Sequence, residues 1–157
     1  MNDESHTPRN AYFDLLSNFL TYRISRLHGK LNAQASRILS DSVGVTLSQW
    51  RIIAFLGSAG SISASALVRY TAMDKGLVSR NVKTLIQQGL VETTADDCDN
   101  RITLLSLSAA GKEIFDRALP RMQRRQAKLQ AHLSADDIAT FRRVLATLEG
   151  AAQDTSP

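Results

Sequence analysis

The most constraining feature of this sequence is a compact series of structural signals in its middle third. Ser63 can cap a short helix, and a turn then leads into a longer helical stretch from Lys75 to Gln88. Gly89 is the left-handed residue that often ends a helix. Two β-rich runs follow, at residues 90–94 and 102–107, with polar residues between them. Two helices joined by a tight turn and followed by a hairpin predict a helix-turn-helix with a β-wing.

Amphipathic helices are expected before this unit. Residues 12–36 carry apolar side chains at steps of three and four, and a second short helix is expected over residues 33–42. Thr46 and Gln49 then have the spacing of a capping box at the start of the next helix.

Further helices are expected after the hairpin. Ser108 caps a helix over residues 109–131, in which Pro120 is expected to produce a bend. Ser134 caps the last helix. The long helices at the two ends of the chain have apolar stripes with no obvious partner inside one chain, which indicates that they pack against a second copy.

Composition excludes several classes of protein. A chain of 157 residues with 43% hydrophobic and 22% charged residues suits one globular domain. The single cysteine, Cys98, excludes an internal disulfide framework and a multi-cysteine zinc site. There is no apolar run of membrane-spanning length and no secretory signal, so we expect a cytoplasmic protein. Neither a catalytic constellation nor metal-ligand spacing is present, so we expect no enzyme and no cofactor.

The longer central helix has two chemically different sides. At about 100° per residue, Val78, Val82, Leu85 and Ile86 fall on one side. The residues that can contact a nucleic acid fall on the other side or at its margin: Lys75, Gly76, Ser79, Arg80, Lys83 and Gln87. Arginine, lysine and glutamine are the side chains that read base edges and phosphates in a major groove. The alternative is an ordinary amphipathic helix with a solvated face.

The net charge of +4 is weak evidence for nucleic-acid binding. Residues 61–101 contain five cations and five anions, so this region has no net charge. Any affinity for DNA must therefore come from the arrangement of the charges.

Residues 47–111 resemble the MarR family of winged helix-turn-helix transcriptional regulators. The motifs that carry the resemblance are Thr46-Leu-Ser-Gln-Trp50, Asp74-Lys75, Gly89-Leu90-Val91, Asp99-Asn-Arg101 and Leu107-Ser108-Ala-Ala-Gly111. The resemblance implies a mainly α fold with a small β-hairpin wing (α+β) and with N- and C-terminal dimerisation helices. The wing residue Arg101 would enter or line the minor groove, with Asp99 holding it.

The resemblance also implies a domain organisation. Residues 46–108 would form the DNA-binding domain, and residues 11–45 and 109–150 the helical dimerisation region. Residues 1–10 and 151–157 are expected to be disordered. The implied partners are double-stranded DNA with an inverted-repeat operator and a second copy of the chain.

The chain departs from the family pattern in the wing. Members often have arginine at the positions of Thr93 and Asn100 in this chain, which indicates fewer phosphate contacts. Serine replaces the usual threonine at Ser108, which preserves the helix cap.

A binding site for a small aromatic acid is expected between the dimer helices and the DNA-binding unit. Its candidate residues are aromatic or carry a guanidinium group: Phe19, Tyr22, Arg23, Trp50 and Arg51. The alternative is that the aromatic residues belong to the dimer core and the arginines are surface charges. The expected function is a repressor released by a small aromatic or anionic effector. The alternatives are a ligand-independent regulator or activator, and a protein-interaction module that has lost DNA binding.

A basic stripe is predicted on the helix over residues 109–131. Its members share one face of that helix: Arg117, Arg121, Arg124, Arg125 and Lys128. Such a stripe could contact DNA or acidic groups, or it could be a solvated face whose arginine stems cover apolar surface.

Overall fold

The computed structural model of the chain describes residues 15–71, 73–95 and 103–153. Within these residues the elements follow in the order α1 (Leu20–Val43), α2 (Leu47–Ala59), β1 (Ser61–Ser63), α3 (Ala64–Thr71), α4 (Lys75–Gln87), β2 (Val91–Ala95), β3 (Thr103–Leu107), α5 (Ala109–Gln130) and α6 (Ala135–Ala151). The fold is mainly α-helical with a small antiparallel sheet, which confirms the predicted fold class.

The first long helix differs from its prediction. The separate helices expected over residues 12–36 and 33–42 are replaced by the single helix α1, preceded by an extended residue at Phe19 (φ −61°, ψ 131°). Neither glycine nor proline occurs between Gly29 and Gly44, so nothing interrupts the helix where the break was expected. Gly44 ends it at φ 71°, and its amide donates to the carbonyl of Leu39 at 3.0 Å. Residues 12–14 lie outside the described residues.

The sheet has three strands in the order β1-β3-β2, both pairs antiparallel. The two strands of the predicted hairpin are confirmed, whereas β1 was not predicted. Its alternating Ser-Ile-Ser sequence is too short to give a clear signal, and its pairing with β3 places Ile62 opposite Leu105. The hairpin loop, residues 96–102, lies outside the described residues.

The predicted helix caps are present. The hydroxyl of Thr46 accepts from the Gln49 amide at 3.2 Å, while the Gln49 side chain accepts from the Thr46 amide at 2.9 Å. Ser134 and Asp137 form a second capping box at the start of α6. Hydrogen bonds from the side chain and the backbone of Ser134 lower the pKa of Asp137 below its ordinary value. α5 continues through Pro120 within a single helix.

The core lies where α2 packs against α3, α4, the sheet and α5. Its fully buried side chains include Ile52, Ile53 and Leu56 from α2. Trp50 of α2 stacks on Phe115 of α5, with ring centroids 6.1 Å apart. The Phe115 ring lies so close to Gly57 that an added Cβ would come within 2.5 Å of it. The two rings and this glycine therefore fix α5 against the winged unit.

Large apolar side chains are exposed at both ends of the described chain. They lie at the start of α1, just before it, and around α6: Leu15, Leu16, Phe19, Leu20, Ile24, Leu27, Leu133, Phe141 and Val144. None of the residues of α6 is buried. Among the described residues, no helix is long and apolar enough to cross a membrane.

Candidate nucleic-acid interface

α4 is anchored by its cap and by its apolar side. The Asp74 carboxylate accepts from the amide of Leu77 at 3.0 Å and so caps the first turn. Val78 and Leu85 are buried in the core, as the sequence pattern predicts. Ile86 lies on the same side of α4, but 39% of its surface is exposed.

The opposite side of α4 is a polar, solvent-exposed surface. Ser79, Arg80, Lys83 and Gln87 are exposed on this side, as their spacing predicts, and Lys75 is exposed at its margin. The structure therefore places five of the proposed DNA-contacting residues on one helix, with their side chains open to a partner.

Gly76 is half-buried and explains how the Arg80 side chain lies along α4. A Cβ at this position would lie 3.0 Å from the Asp74 Oδ1 atom and 3.5 Å from the Arg80 Nη1 atom. The absence of a side chain thus leaves room for the capping carboxylate and for the guanidinium group. Without a side chain at this position, another molecule can approach the backbone of the first turn closely.

Two other polar residues of α4 are occupied by the helix itself. Asn81 donates from Nδ2 to the carbonyl of Leu77 at 2.8 Å, and the Thr84 hydroxyl donates to the carbonyl of Arg80 at 3.0 Å. These bonds turn both side chains back onto their own backbone, so they compete with contacts to a ligand.

An apolar groove between α3 and α4 was not predicted from the sequence. Its volume is about 520 Å³, and Val68, Val82 and Ile86 contribute to its lining together with Lys75 and Lys83. On the α3 side it is bounded by Ala64, Ser65 and Val68, in a helix that follows directly after β1, an element that the sequence pattern did not reveal.

The exit from α4 is tied to the start of α5 at one junction. Gly89 adopts φ 68°, and the Ser108 hydroxyl donates to its carbonyl at 2.6 Å. The same hydroxyl accepts from the amide of Gly111 at 3.0 Å, which caps α5. A Cβ on Gly111 would overlap the carbonyl oxygen of Leu90. These contacts therefore hold the C-terminal end of α4, the start of β2 and the start of α5 in a fixed arrangement.

The tip of the wing, residues 96–102, lies outside the described residues. Asp99 and Arg101, proposed from the family resemblance to contact DNA, lie outside the described residues, as does Cys98. The described part of β2 exposes Thr93.

The five residues proposed for an effector site are spread over two regions of one chain. Trp50 is buried in the core, and Arg51 donates to the Oδ1 atom of Asn32 at 3.4 Å. Tyr22 lies ten residues before Asn32 on α1, about 15 Å along the helix axis. Arg26 lies over the Tyr22 ring, 5.8 Å from its centroid.

Phe19 and Arg23, the remaining two of these residues, are exposed near Tyr22. Neither the groove between α3 and α4 nor a smaller cavity between α1 and α5 contains any of the five residues. The described part of the single chain therefore does not bring the five residues together around one of these cavities. No group of three or more potential metal ligands occurs among the residues described.

Comparison with known proteins agrees with this architecture. A model of the MarR family matches residues 43–102. The uncharacterized HTH-type transcriptional regulator YdgJ of Bacillus subtilis is 30% identical over 105 residues, which cover 67% of this chain and 64% of that protein.

Solved structures share the fold over most of the chain. A MarR/EmrR family transcriptional regulator from Acinetobacter sp. ADP1 is 26% identical, with a TM-score of 0.77 and coverage of 85% of this chain and 94% of that chain. A cysteine-to-serine mutant of MarR from E. coli, complexed with operator DNA, is 24% identical with a TM-score of 0.66, covering 83% of this chain and 99% of that one. The chain belongs to the MarR family of transcriptional regulators.

Proposed function

We propose that this regulator is a homodimeric repressor that reads an operator with α4 in the major groove. The observation that carries the proposal is the surface of α4, where exposed Arg80, Lys83 and Gln87 stand opposite buried Val78 and Leu85. A helix with one side in a core and the other side rich in base-reading groups matches a recognition helix. The E. coli relative complexed with operator DNA supports the same role for this winged unit.

Specificity would come from α4, and Arg80 is the residue we assign to a base edge. Its guanidinium can make two parallel hydrogen bonds to guanine. Lys83 and Ser79 are assigned to phosphates, because a lysine acts as a point charge and a hydroxyl can donate to a phosphate oxygen. Arg101 of the wing, held by Asp99, is assigned to the minor groove.

Dimerisation would use the exposed apolar surfaces at the two ends of the chain. Phe19 and Leu20 at the start of α1 and Phe141 of α6 are each about half exposed in the single chain. Exposed apolar surface of this extent is typical of an interface. Two winged units held by such helices could contact successive major grooves of an inverted repeat.

The effector would be a small aromatic or anionic molecule that binds between the dimer helices and the winged units. Phe19 and Arg23 are exposed and Tyr22 is half-buried near them, and Arg51 lies at the contact between α1 and α2. The ligand would act only if it binds more tightly to a dimer in which the distance between the two winged units does not fit the operator.

DNA binding is tested with duplexes selected by the protein from a randomised library. Arg80→Ala should relax the base preference at one position of the half-site, while Arg69→Ala, an exposed arginine of α3, serves as the control. A uniform loss of affinity for all duplexes would reassign Arg80 to a phosphate.

The salt dependence of binding distinguishes a DNA reader from an interaction module. For a dimer that makes roughly eight phosphate contacts, a plot of the logarithm of the binding constant against the logarithm of the salt concentration should have a slope of about −7. A slope near zero, or a single subunit in sedimentation at working concentration, would contradict the proposed function.

The effector is tested by titrating phenolic acids into the same binding reaction. Release of the duplex at millimolar concentration would support the repressor mechanism. No release would favour a ligand-independent regulator or activator on the same fold, and a promoter–reporter assay would then give the sign of regulation.

A further inference from the structure

A shallow surface cavity in the described part of the chain is lined mainly by cations. It lies between α1 and α5, has a volume of about 180 Å³, and is lined by Ile38, Arg121, Arg124, Arg125 and Lys128. With Arg117, the four basic residues fall within an arc of about 100° around α5, so all five share one face. We call the four basic residues that line the cavity the cationic cradle.

One member of the cradle is held in place by α1. Arg125 donates from Nε to the Oε1 atom of Gln34 at 2.9 Å and from Nη2 to the carbonyl of Leu31 at 2.9 Å. These bonds fix one wall of the cavity. In contrast, Arg121, Arg124 and Lys128 have no hydrogen bond or ion pair to any described residue.

In the described part of the chain, no acidic residue of α1 or α5 forms an ion pair with the cationic cradle. The only acid of α1 is Asp41, and those of α5, Glu113 and Asp116, lie in its first two turns. Cations three and four residues apart on a helix repel each other, so the arrangement disfavours the helix when nothing is bound. An anion in the cavity would remove this repulsion.

We propose that the cationic cradle binds a small molecule that carries a diphosphate group. A terminal phosphate carries about −1.5 to −2 charges near neutral pH, and the adjoining phosphate adds further negative charge. A diphosphate therefore balances Arg121, Arg124 and Lys128 better than a carboxylate does. The guanidinium groups match phosphate oxygens in pairs, and Ile38 supplies an apolar floor for the rest of the ligand.

The cradle is separate from the surface assigned to DNA. Its first member lies about 18 Å along α5 from Ala109, and none of its residues belongs to α2, α3, α4 or the sheet. The bound anion would bridge α5 and α1 without touching α4. The inference therefore does not depend on DNA binding by α4, although the cradle lies on two of the helices assigned to dimerisation.

The direct test is calorimetric titration of the full chain with sodium pyrophosphate at low ionic strength. The double variant Arg121→Gln/Arg124→Gln should bind pyrophosphate at least about tenfold more weakly than the unchanged chain, because two phosphate partners are removed. The control is Arg142→Gln/Arg143→Gln, which removes the same charge from exposed positions on α6 and should change the affinity less than about twofold. Circular dichroism melts confirm that both variants fold.

Two results would overturn the inference: no binding by the unchanged chain at millimolar pyrophosphate, or equal weakening of binding in both double variants. If the unchanged chain does not bind pyrophosphate, two further measurements show what the cradle does instead. Loss of duplex affinity in Arg121→Gln/Arg124→Gln would assign the cradle to the DNA backbone. A changed sedimentation coefficient of that variant would assign it to contacts between copies.

Discussion

Ser108 should be one of the most sensitive polar residues of the fold, because one hydroxyl serves two elements. It caps α5 through the amide of Gly111 and donates to the carbonyl of Gly89 at the end of α4. Replacing a capping serine by alanine costs about 1 kcal/mol of stability, and the loss of the second hydrogen bond about another 1 kcal/mol. Ser108→Ala should therefore lower the free energy of unfolding by about 2 kcal/mol.

The measurement is urea unfolding followed by circular dichroism, at one fixed chain concentration because dimerisation would shift the apparent stability. Ser108→Thr is the matched variant, since threonine retains the hydroxyl and is a good cap; it should cost less than about 0.5 kcal/mol. The melting temperature of Ser108→Ala should fall by about 4–8 °C. If alanine and threonine at this position give the same unfolding free energy, the role assigned to the hydroxyl is wrong.

Three further changes test other parts of the structure. In Gly57→Ala the new methyl group meets the Phe115 ring, which should cost about 1–3 kcal/mol of stability, offset by a helix-propensity gain of about 1 kcal/mol. Gly29→Ala, which has open space around the new methyl group, should instead raise the stability of the chain. Denaturant melts compare the two variants. Asp137→Asn should destabilise at neutral pH, and the difference from the unchanged chain should disappear as pH falls through the lowered pKa of Asp137, because a depressed carboxyl pKa contributes stability only while the group is ionised. Arg101→Ala should weaken duplex binding by about 1–3 kcal/mol in a fluorescence-anisotropy titration without changing the melting temperature, and unchanged affinity would remove the wing from the mechanism.

Local signals with a strong physical cause were readable from the sequence. The capping box at Thr46 and the caps at Ser108 and Ser134 were predicted because a side-chain oxygen three residues before a free amide is a short-range pattern. The two sides of α4 were predicted because helical periodicity alone decides which residues share a face. The buried positions of Val78 and Leu85 follow directly from it.

Features that depend on contacts between distant residues were not readable. β1 is defined by its pairing with β3, more than forty residues away. Trp50 was proposed to line an effector site, whereas its ring is buried against Phe115, a residue whose sequence position gives no indication of the contact.

The contacts between α5 and the winged unit also constrain how an effector could act. The unit is attached to α5 at two points, Phe115 against Trp50 and Ser108 against Gly89, which are two turns apart on one helix. Two contacts on a single rigid helix fix the orientation of α4 relative to α5. A ligand that displaces the α5 helices of a dimer would therefore move each reading helix with its α5 as one body. The spacing between the two α4 helices would change, while the surface that each presents to a base would stay the same.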